Sequence, residues 1–458
     1  MLAWLFGLLC ARAATYETRF FNQSLTHEQG DSRTFAQRYL VDDAHWGKGE
    51  FGQTKGCRGP VLFYTGNEGP IDEFWAVNGF MTERLAPMWG ALIVFAEARY
   101  YGASLPFGNE SFTSENAQYL TTELILADYA ALIRDMGLAE CPVVAFGGSY
   151  GGTLTTFFRA TYPDVVIGGL AASAPIGYYD PARWAEFGVS ADTWADVVYD
   201  VYDAEAGCTD AISAALEALR NADAAALASR FHVCDVSVLG QNRTELFQYA
   251  LENLPQGDYA DAWPVGRACA AFVAAASEDA LVGAAADFTQ ASFGVSSGGA
   301  CLAPLAEGPG GVPGDGPGDR SAWGYQSCTE TLHAFSSHTR IRTYDFDYEA
   351  QAAVCLKLFG VRPDALKLTR DYGGYDLPNT ATNLFFSNGL LDPWHGGGFL
   401  ERDFPNASRS NAFCVMPNGA HHADLRGQTP GDPADVAACR DLEEATIRGW
   451  IRAFVDDR

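Results

Sequence analysis

Two rhythms of apolar residues alternate along the first third of the chain. Val61–Thr65 (Val-Leu-Phe-Tyr-Thr) and Ala91–Phe95 are unbroken apolar runs, too short for helices. Runs of this kind are strands of a parallel sheet, where both faces are covered and the in–out alternation disappears. Between Thr122 and Met136, Leu124, Leu126, Tyr129, Ala130 and Ile133 recur at helical spacing and predict a crossover helix. A third run, Pro142–Phe146, leads into a helix over about Gly151–Tyr162, followed by a strand near Val165–Ala171. Strand–helix alternation of this sort predicts an α/β fold.

Beyond Gly177 the pattern changes. Ile212–Phe231 and Val265–Phe288 are alanine-rich and helical, and Phe293–Tyr325 is loaded with Gly and Pro. Strand patterns return at Thr382–Ser387 and Asn411–Met416, and Val436–Val455 reads as a closing helix. The simplest account is one α/β core in two segments, residues 15–177 and 349–458, interrupted by a helical insertion over 178–348. No internal repeat is present.

Ahead of the core, Leu2–Cys10 is a short apolar run followed by Ala11-Arg12-Ala13, a small-residue cleavage site. Residues 1–14 are therefore expected to be a secretory signal peptide, although no Lys or Arg precedes the apolar run. No later stretch reaches the roughly 18–20 uninterrupted apolar residues of a spanning helix, so no membrane span is expected.

Composition narrows the function. With 458 residues, 48% hydrophobic and 19% charged, the chain can bury a large core. A net charge of −27 excludes a nucleic-acid partner, which needs a basic face. That acidity serves solubility, or suits an acidic lumen that protonates part of the carboxylates. Eleven cysteines are present, ten of them beyond the leader, with no C-x-x-C pair or zinc spacing. Disulfides are expected rather than a metal, and no cofactor is called for. Sequons at Asn22, Asn109, Asn242 and Asn406 fit glycosylation along a secretory route, ending in a lysosome or vacuole or outside the cell.

The chemistry concentrates at Gly147-Gly148-Ser149-Tyr150-Gly151-Gly152, directly after the Pro142–Phe146 run. This is a nucleophile elbow, with glycines where a Cβ would clash in the tight turn and a helix N-terminus aimed at Ser149. Asp392 follows the Thr382–Ser387 strand, and His421 and His422 follow the Asn411–Met416 strand. Ser, then Asp, then His, each on a loop after its own strand, is the α/β-hydrolase order. Asp392 thus takes the place of the orienting carboxylate, and His421 or His422 that of the general base. The N–H of Tyr150 supplies one oxyanion donor, and Asn67 or Glu68 on the Thr65–Pro70 loop is expected to bring the other. Glu68 could instead bind a substrate ammonium. His395 shares a loop with its own acid and is a poor bridge to Ser149. A zinc site at His421, His422 and Asp424 lacks the required helical spacing.

Five segments resemble the S28 family of serine peptidases. They are Tyr64–Gly69, Ala96–Gly108, Gly147–Gly152, Phe386–Trp394 and Gly419–Arg426. The resemblance runs over nearly the whole mature chain and is weakest in the insertion. It implies an α/β-hydrolase core with a helical cap and exopeptidase action on peptides next to proline. Either a C-terminal residue after proline or an N-terminal X-Pro dipeptide would be released. It also implies Ser149, Asp392 and His421 as the triad, and Thr153 and Trp394 as lining the proline pocket. Two positions depart from the family pattern: Ala98 stands where His is usual, and Thr153 where Met is usual. Thr153 therefore implies a looser proline preference. A homodimer is left open. The alternatives are an esterase or lipase on the same core, and a non-catalytic binding protein on that scaffold.

Overall fold

The computed structural model describes residues 16–53, 56–239, 243–295, 301–302 and 321–456. The leader at 1–14, the sequon at Asn242 and most of the Gly/Pro-rich stretch lie outside the described residues.

An eight-stranded sheet forms the centre of the molecule. Its strands are β1 (Glu17–Ser24), β2 (Thr34–Asp42), β3 (Val61–Thr65), β4 (Leu92–Ala96), β5 (Val143–Gly148), β6 (Gly168–Ala172), β9 (Leu384–Gly389) and β10 (Ala412–Met416), while β7 (Ser337–His338) and β8 (Thr343–Tyr344) form a separate small ribbon. The spatial order is β1-β2-β4-β3-β5-β6-β9-β10. All pairings from β4 to β10 are parallel, whereas β1–β2 and β2–β4 are antiparallel. The apolar runs are strands for the reason their pattern gives: all of β3, β4, β5, β6 and β9 is buried. Alternate residues serve opposite faces. Val61 and Phe63 pack with the helices Thr122–Asp135 and Tyr150–Thr161. Leu62 and Tyr64 pack on the other face with Trp89 and with Ile447 and Ile451 of the closing helix Ala434–Asp456. The result is an α/β/α sandwich, a mostly parallel sheet flanked by helices.

β1 and β2 lie ahead of the elements the pattern predicts. β1 is an edge strand, largely exposed, and carries no apolar run. β2 alternates Phe35, Gln37 and Tyr39 inward, and Gln37 is paid for by a buried 2.8 Å hydrogen bond from Gln23.

Between β6 and β9 the chain is chiefly helical. The two long helical patterns each break once. Cys208–Asn221 and Ala224–Phe231 are separate helices, because Asp223 caps the second through the N–H groups of Ala225 and Ala226. Pro264–Ala274 and Glu278–Ser292 divide likewise, with Ser277 accepting from Ala280 N–H. All ten cysteines beyond the leader pair: Cys57–Cys141, Cys208–Cys269, Cys234–Cys301, Cys328–Cys355 and Cys414–Cys439. Five disulfides fit a secretory or lysosomal route. Among the described residues no helix is long and apolar enough to cross a membrane.

Candidate active site

β5 ends at Gly148, and Ser149 follows it with a φ of 59° and ψ of −128°, a strained conformation for a non-glycine residue directly before the Tyr150–Thr161 helix. The surrounding chain enforces that turn. A Cβ on Gly147 would come within 2.2 Å of the Gly151 carbonyl oxygen, and one on Gly151 within 2.8 Å of the Thr65 carbonyl oxygen. Ser149 N–H donates to the Ala172 carbonyl on β6 at 2.9 Å, and its own carbonyl accepts from Thr153 N–H at 3.0 Å. The turn at Ser149 is therefore tied to the sheet on one side and starts the helix on the other.

Asp392 is fully buried on the loop after β9. One carboxylate oxygen accepts from Trp394 N–H at 3.0 Å, and the other lies 2.6 Å from His421 Nδ1. His421, on the loop after β10, is itself fastened by its backbone. Its N–H donates to the Gln256 carbonyl at 3.0 Å, and its carbonyl accepts from Tyr259 Oη at 3.0 Å. The Gln256 side chain also accepts from Trp394 Nε1 at 3.1 Å. Gln256 and Tyr259 thus lock the two loops together, and sequence reasoning missed both. They lie far from the motifs along the chain, and no local pattern marks them.

His422 does a different job from its neighbour. Its φ is 40°, its N–H donates to Ser173 Oγ at 2.8 Å, and its ring packs 4.4 Å from that of His421. Burial, then the His421 and Arg426 charges, hold the His422 imidazole well below the usual histidine range. A Cβ on Gly148 would meet this ring at 2.9 Å, so Gly148 makes room for it.

Asn67 is buried just after β3, on a loop pinned by the 2.6 Å hydrogen bond from Tyr129 Oη to the Gly66 carbonyl. Tyr150 is buried, with its hydroxyl joined to Thr122 Oγ1 at 3.0 Å and to Gln326 Nε2 at 2.6 Å. Burial pushes the Tyr150 phenol above its ordinary range, so the hydroxyl stays protonated within these hydrogen bonds.

A cavity of about 1140 Å³ joins these parts. Ser149, Tyr150, Asn67, Glu68, Trp394 and His421 all line it, and it continues between the helices that follow β6, past Phe272 and Phe288. Thr153 stands apart: it is fully buried and does not line the cavity, although a proline-pocket role would need it there. The helix carries Thr153 one turn beyond Ser149, where its N–H donates to the Ser149 carbonyl. Trp394 meets the cavity as part of an aromatic cluster with His333, Phe335, Tyr178 and Trp194.

A parallel sheet that ends in a strained serine before a helix, with an Asp–His pair on the loops after two later strands, defines an α/β hydrolase. Within that class the chain belongs to the serine carboxypeptidase S28 family, whose sequence profile matches residues 23–443. It is similar to lysosomal Pro-X carboxypeptidase of Bos taurus, 34% identical over 472 residues, which cover 96% of this chain and 89% of that protein. To the Homo sapiens protein of the same name it is 33% identical over 481 residues, 98% of this chain and 91% of that one. Similarity extends to thymus-specific serine protease of Homo sapiens, at 26% identity over 449 residues, 92% and 84% of the two chains. The chain is a serine peptidase.

Proposed function

We propose that the chain is a Pro-X carboxypeptidase, a serine exopeptidase that releases the C-terminal residue following proline through an acyl-enzyme. The observation that carries the mechanism is the 2.6 Å contact between Asp392 and His421 Nδ1 at the wall of the cavity that Ser149 also lines. Ser149 Oγ attacks the proline carbonyl carbon while His421 Nε2 takes the hydroxyl proton. Asp392 holds Nδ1–H, fixing the tautomer and stabilising the imidazolium. The tetrahedral oxyanion is received by the backbone N–H of Tyr150 together with the Asn67–Glu68 segment. Breakdown expels the C-terminal residue as an amine that takes the proton from His421, and water then repeats the sequence to free the shortened peptide. The proline preference is supported by the Pro-X carboxypeptidase relatives and by the aromatic wall at Trp394.

In the same reading, residues 178–348 act as a cap over the site, between core segments 15–177 and 349–458, and 1–14 are a cleaved leader. Asn22, Asn109 and Asn406 are exposed and accessible for glycosylation, and the protein ends in a lysosome-like or vacuolar compartment or outside the cell.

The test is mass spectrometry of products from a peptide with an internal penultimate proline. Loss of one C-terminal residue is expected, and release of an N-terminal X-Pro dipeptide would overturn the carboxypeptidase assignment. Ser149→Ala is expected to abolish both this turnover and labelling by a fluorophosphonate while leaving the fold intact. Labelling that survives in Ser149→Ala puts the nucleophile elsewhere.

A further inference from the structure

One polar side chain on the cavity wall has no place in the mechanism. His333 lines the cavity, is only 3% exposed, and its Nε2 has no hydrogen-bond partner among the described residues. Four aromatic neighbours pack around its ring. It stacks on Phe335 at 5.2 Å, lies 5.4 Å from Tyr179 and 6.3 Å from Trp323, and meets the edge of Trp394 at 5.1 Å. Leaving a buried nitrogen unpaired is destabilising, and an aliphatic or phenyl side chain would fill the same space without that cost. Burial pushes the imidazole down to about 3, so the ring is neutral across the physiological range and offers one N–H donor and one lone pair.

The position of this ring says which part of a substrate it meets. Trp394 follows Asp392 by two residues, and its ring centroid is 6.5 Å from that of His421. The chamber walled by Trp394 and His333 therefore opens at the reacting bond, where the side chain of the residue being acylated must sit. A carboxylate there finds no cation on His333, and an ammonium would be buried unpaired. A hydroxyl on an otherwise apolar side chain satisfies both the aromatic walls and the single nitrogen.

We propose that His333 is a specificity-determining residue that hydrogen-bonds a hydroxyl on the substrate residue whose carbonyl Ser149 attacks. Hydroxyl-bearing residues at that position are then preferred over their hydrocarbon isosteres. This deepens the peptidase reading and rests on it.

The experiment compares kcat/KM for peptides paired at the acylated position: 4-hydroxyproline with proline, serine with alanine, threonine with valine. Wild type and His333→Phe are compared, with fluorophosphonate labelling and thermal melting as checks of fold and nucleophile. For the best-cleaved pair, wild type is expected to favour the hydroxyl member by roughly 3- to 10-fold. In His333→Phe that ratio falls to about 1, and His333→Gln, which keeps a donor and an acceptor, restores part of it. Because the imidazole stays neutral, the wild-type ratio is expected to be the same at pH 5 and pH 8. If His333→Phe does not fold, His333→Met carries the same comparison. An equal ratio in wild type and variant overturns the role of His333 and leaves the peptidase reading standing. A hydroxyl preference without cleavage after proline or hydroxyproline overturns the proline preference and leaves His333 standing. Cleavage of no peptide overturns both.

Discussion

At the scale of single residues, the paired histidines separate by what holds them. His421 faces Asp392 across 2.6 Å, whereas His422 is turned by its positive φ and packs against the elbow at Gly148. His421→Ala is therefore expected to lower kcat by several orders of magnitude, because base and nucleophile act as a unit, with losses of ~10⁶ in comparable triads. His422→Ala is expected to cost far less, through packing alone. Asp392→Asn keeps the shape but favours the wrong tautomer, and a drop of ~10⁴ in kcat is expected. Steady-state kinetics of the three variants check the assignment, and reversed effects in the histidine pair would move the base to His422. Ser149, Asp392 and His421 were legible as candidates because the proposed chemistry fixes residue type, chain order and position after a strand, and the structure brings Asp392 within 2.6 Å of His421 Nδ1. Gln256 and His333 were not. Gln256 reaches Trp394 across 138 residues of chain, and His333 sits in a stretch with no motif, so only the folded cavity reveals them. Thr153 shows the converse: the family resemblance implied a pocket position, whereas the residue is fully buried and off the cavity wall.

At the scale of elements, the elbow is a steric problem that glycine solves. The Cβ that Gly148→Ala would add meets the His422 ring at 2.9 Å and Leu425 at 3.1 Å, and side chains of that kind can shift. Gly148→Ala is thus expected to fold and to lose roughly 10- to 100-fold in kcat, as a displacement near the triad propagates to its alignment. The check is kcat against melting temperature, and unchanged kcat would mean the turn tolerates a Cβ. The helical region offers a second test. Asp258, ahead of the Pro264–Ala274 helix, accepts from Val265 N–H at 2.9 Å. Burial pushes its carboxyl from 3.8 up to about 6, with Val265 N–H opposing the shift and the Glu205 charge adding to it. A carboxyl raised on folding contributes stability that is full below its unfolded value and lost as pH rises through its folded one. That window runs from about pH 4 to about pH 6. Asp258→Asn keeps an acceptor and does not titrate. Its stability relative to wild type is expected to improve by on the order of 1–2 kcal/mol between pH 4 and pH 7. Denaturant melts at the two pH values check the sign, and a constant difference would remove Asp258 from the pH response. The strands were legible because buried parallel strands lose alternation. The helix breaks at Asp223 and Ser277 were not, since both residues sit inside otherwise continuous helical patterns and only cap geometry distinguishes them.

At the scale of the whole molecule, the helical region between β6 and β9 does more than cover the cavity. The Gln256–Tyr259 segment from this region holds both backbone groups of His421, and the Gln256 side chain fixes Trp394. The same segment leads into the Pro264–Ala274 helix, which Cys269 staples to Cys208 on the Cys208–Asn221 helix. His421, the proposed general base, is thus held by a part of the chain outside the sheet that leads into Ser149. None of this was legible in the sequence, because ten cysteines leave the pairing undetermined and the Gln256–Tyr259 segment matches no catalytic motif. Tyr259→Phe isolates the coupling. It removes the 3.0 Å hydrogen bond to the His421 carbonyl but keeps the ring, over which Arg426 lies at 4.0 Å. Losing one such bond is worth about 1 kcal/mol, so kcat is expected to fall by roughly 3- to 10-fold. KM should hold, because the hydroxyl is engaged with the His421 carbonyl. The rate of fluorophosphonate labelling, which needs the same base, should fall in parallel with kcat. A variant that raises KM and leaves the labelling rate unchanged would show that this region acts on substrate binding alone, and that the sheet loops position His421 without it.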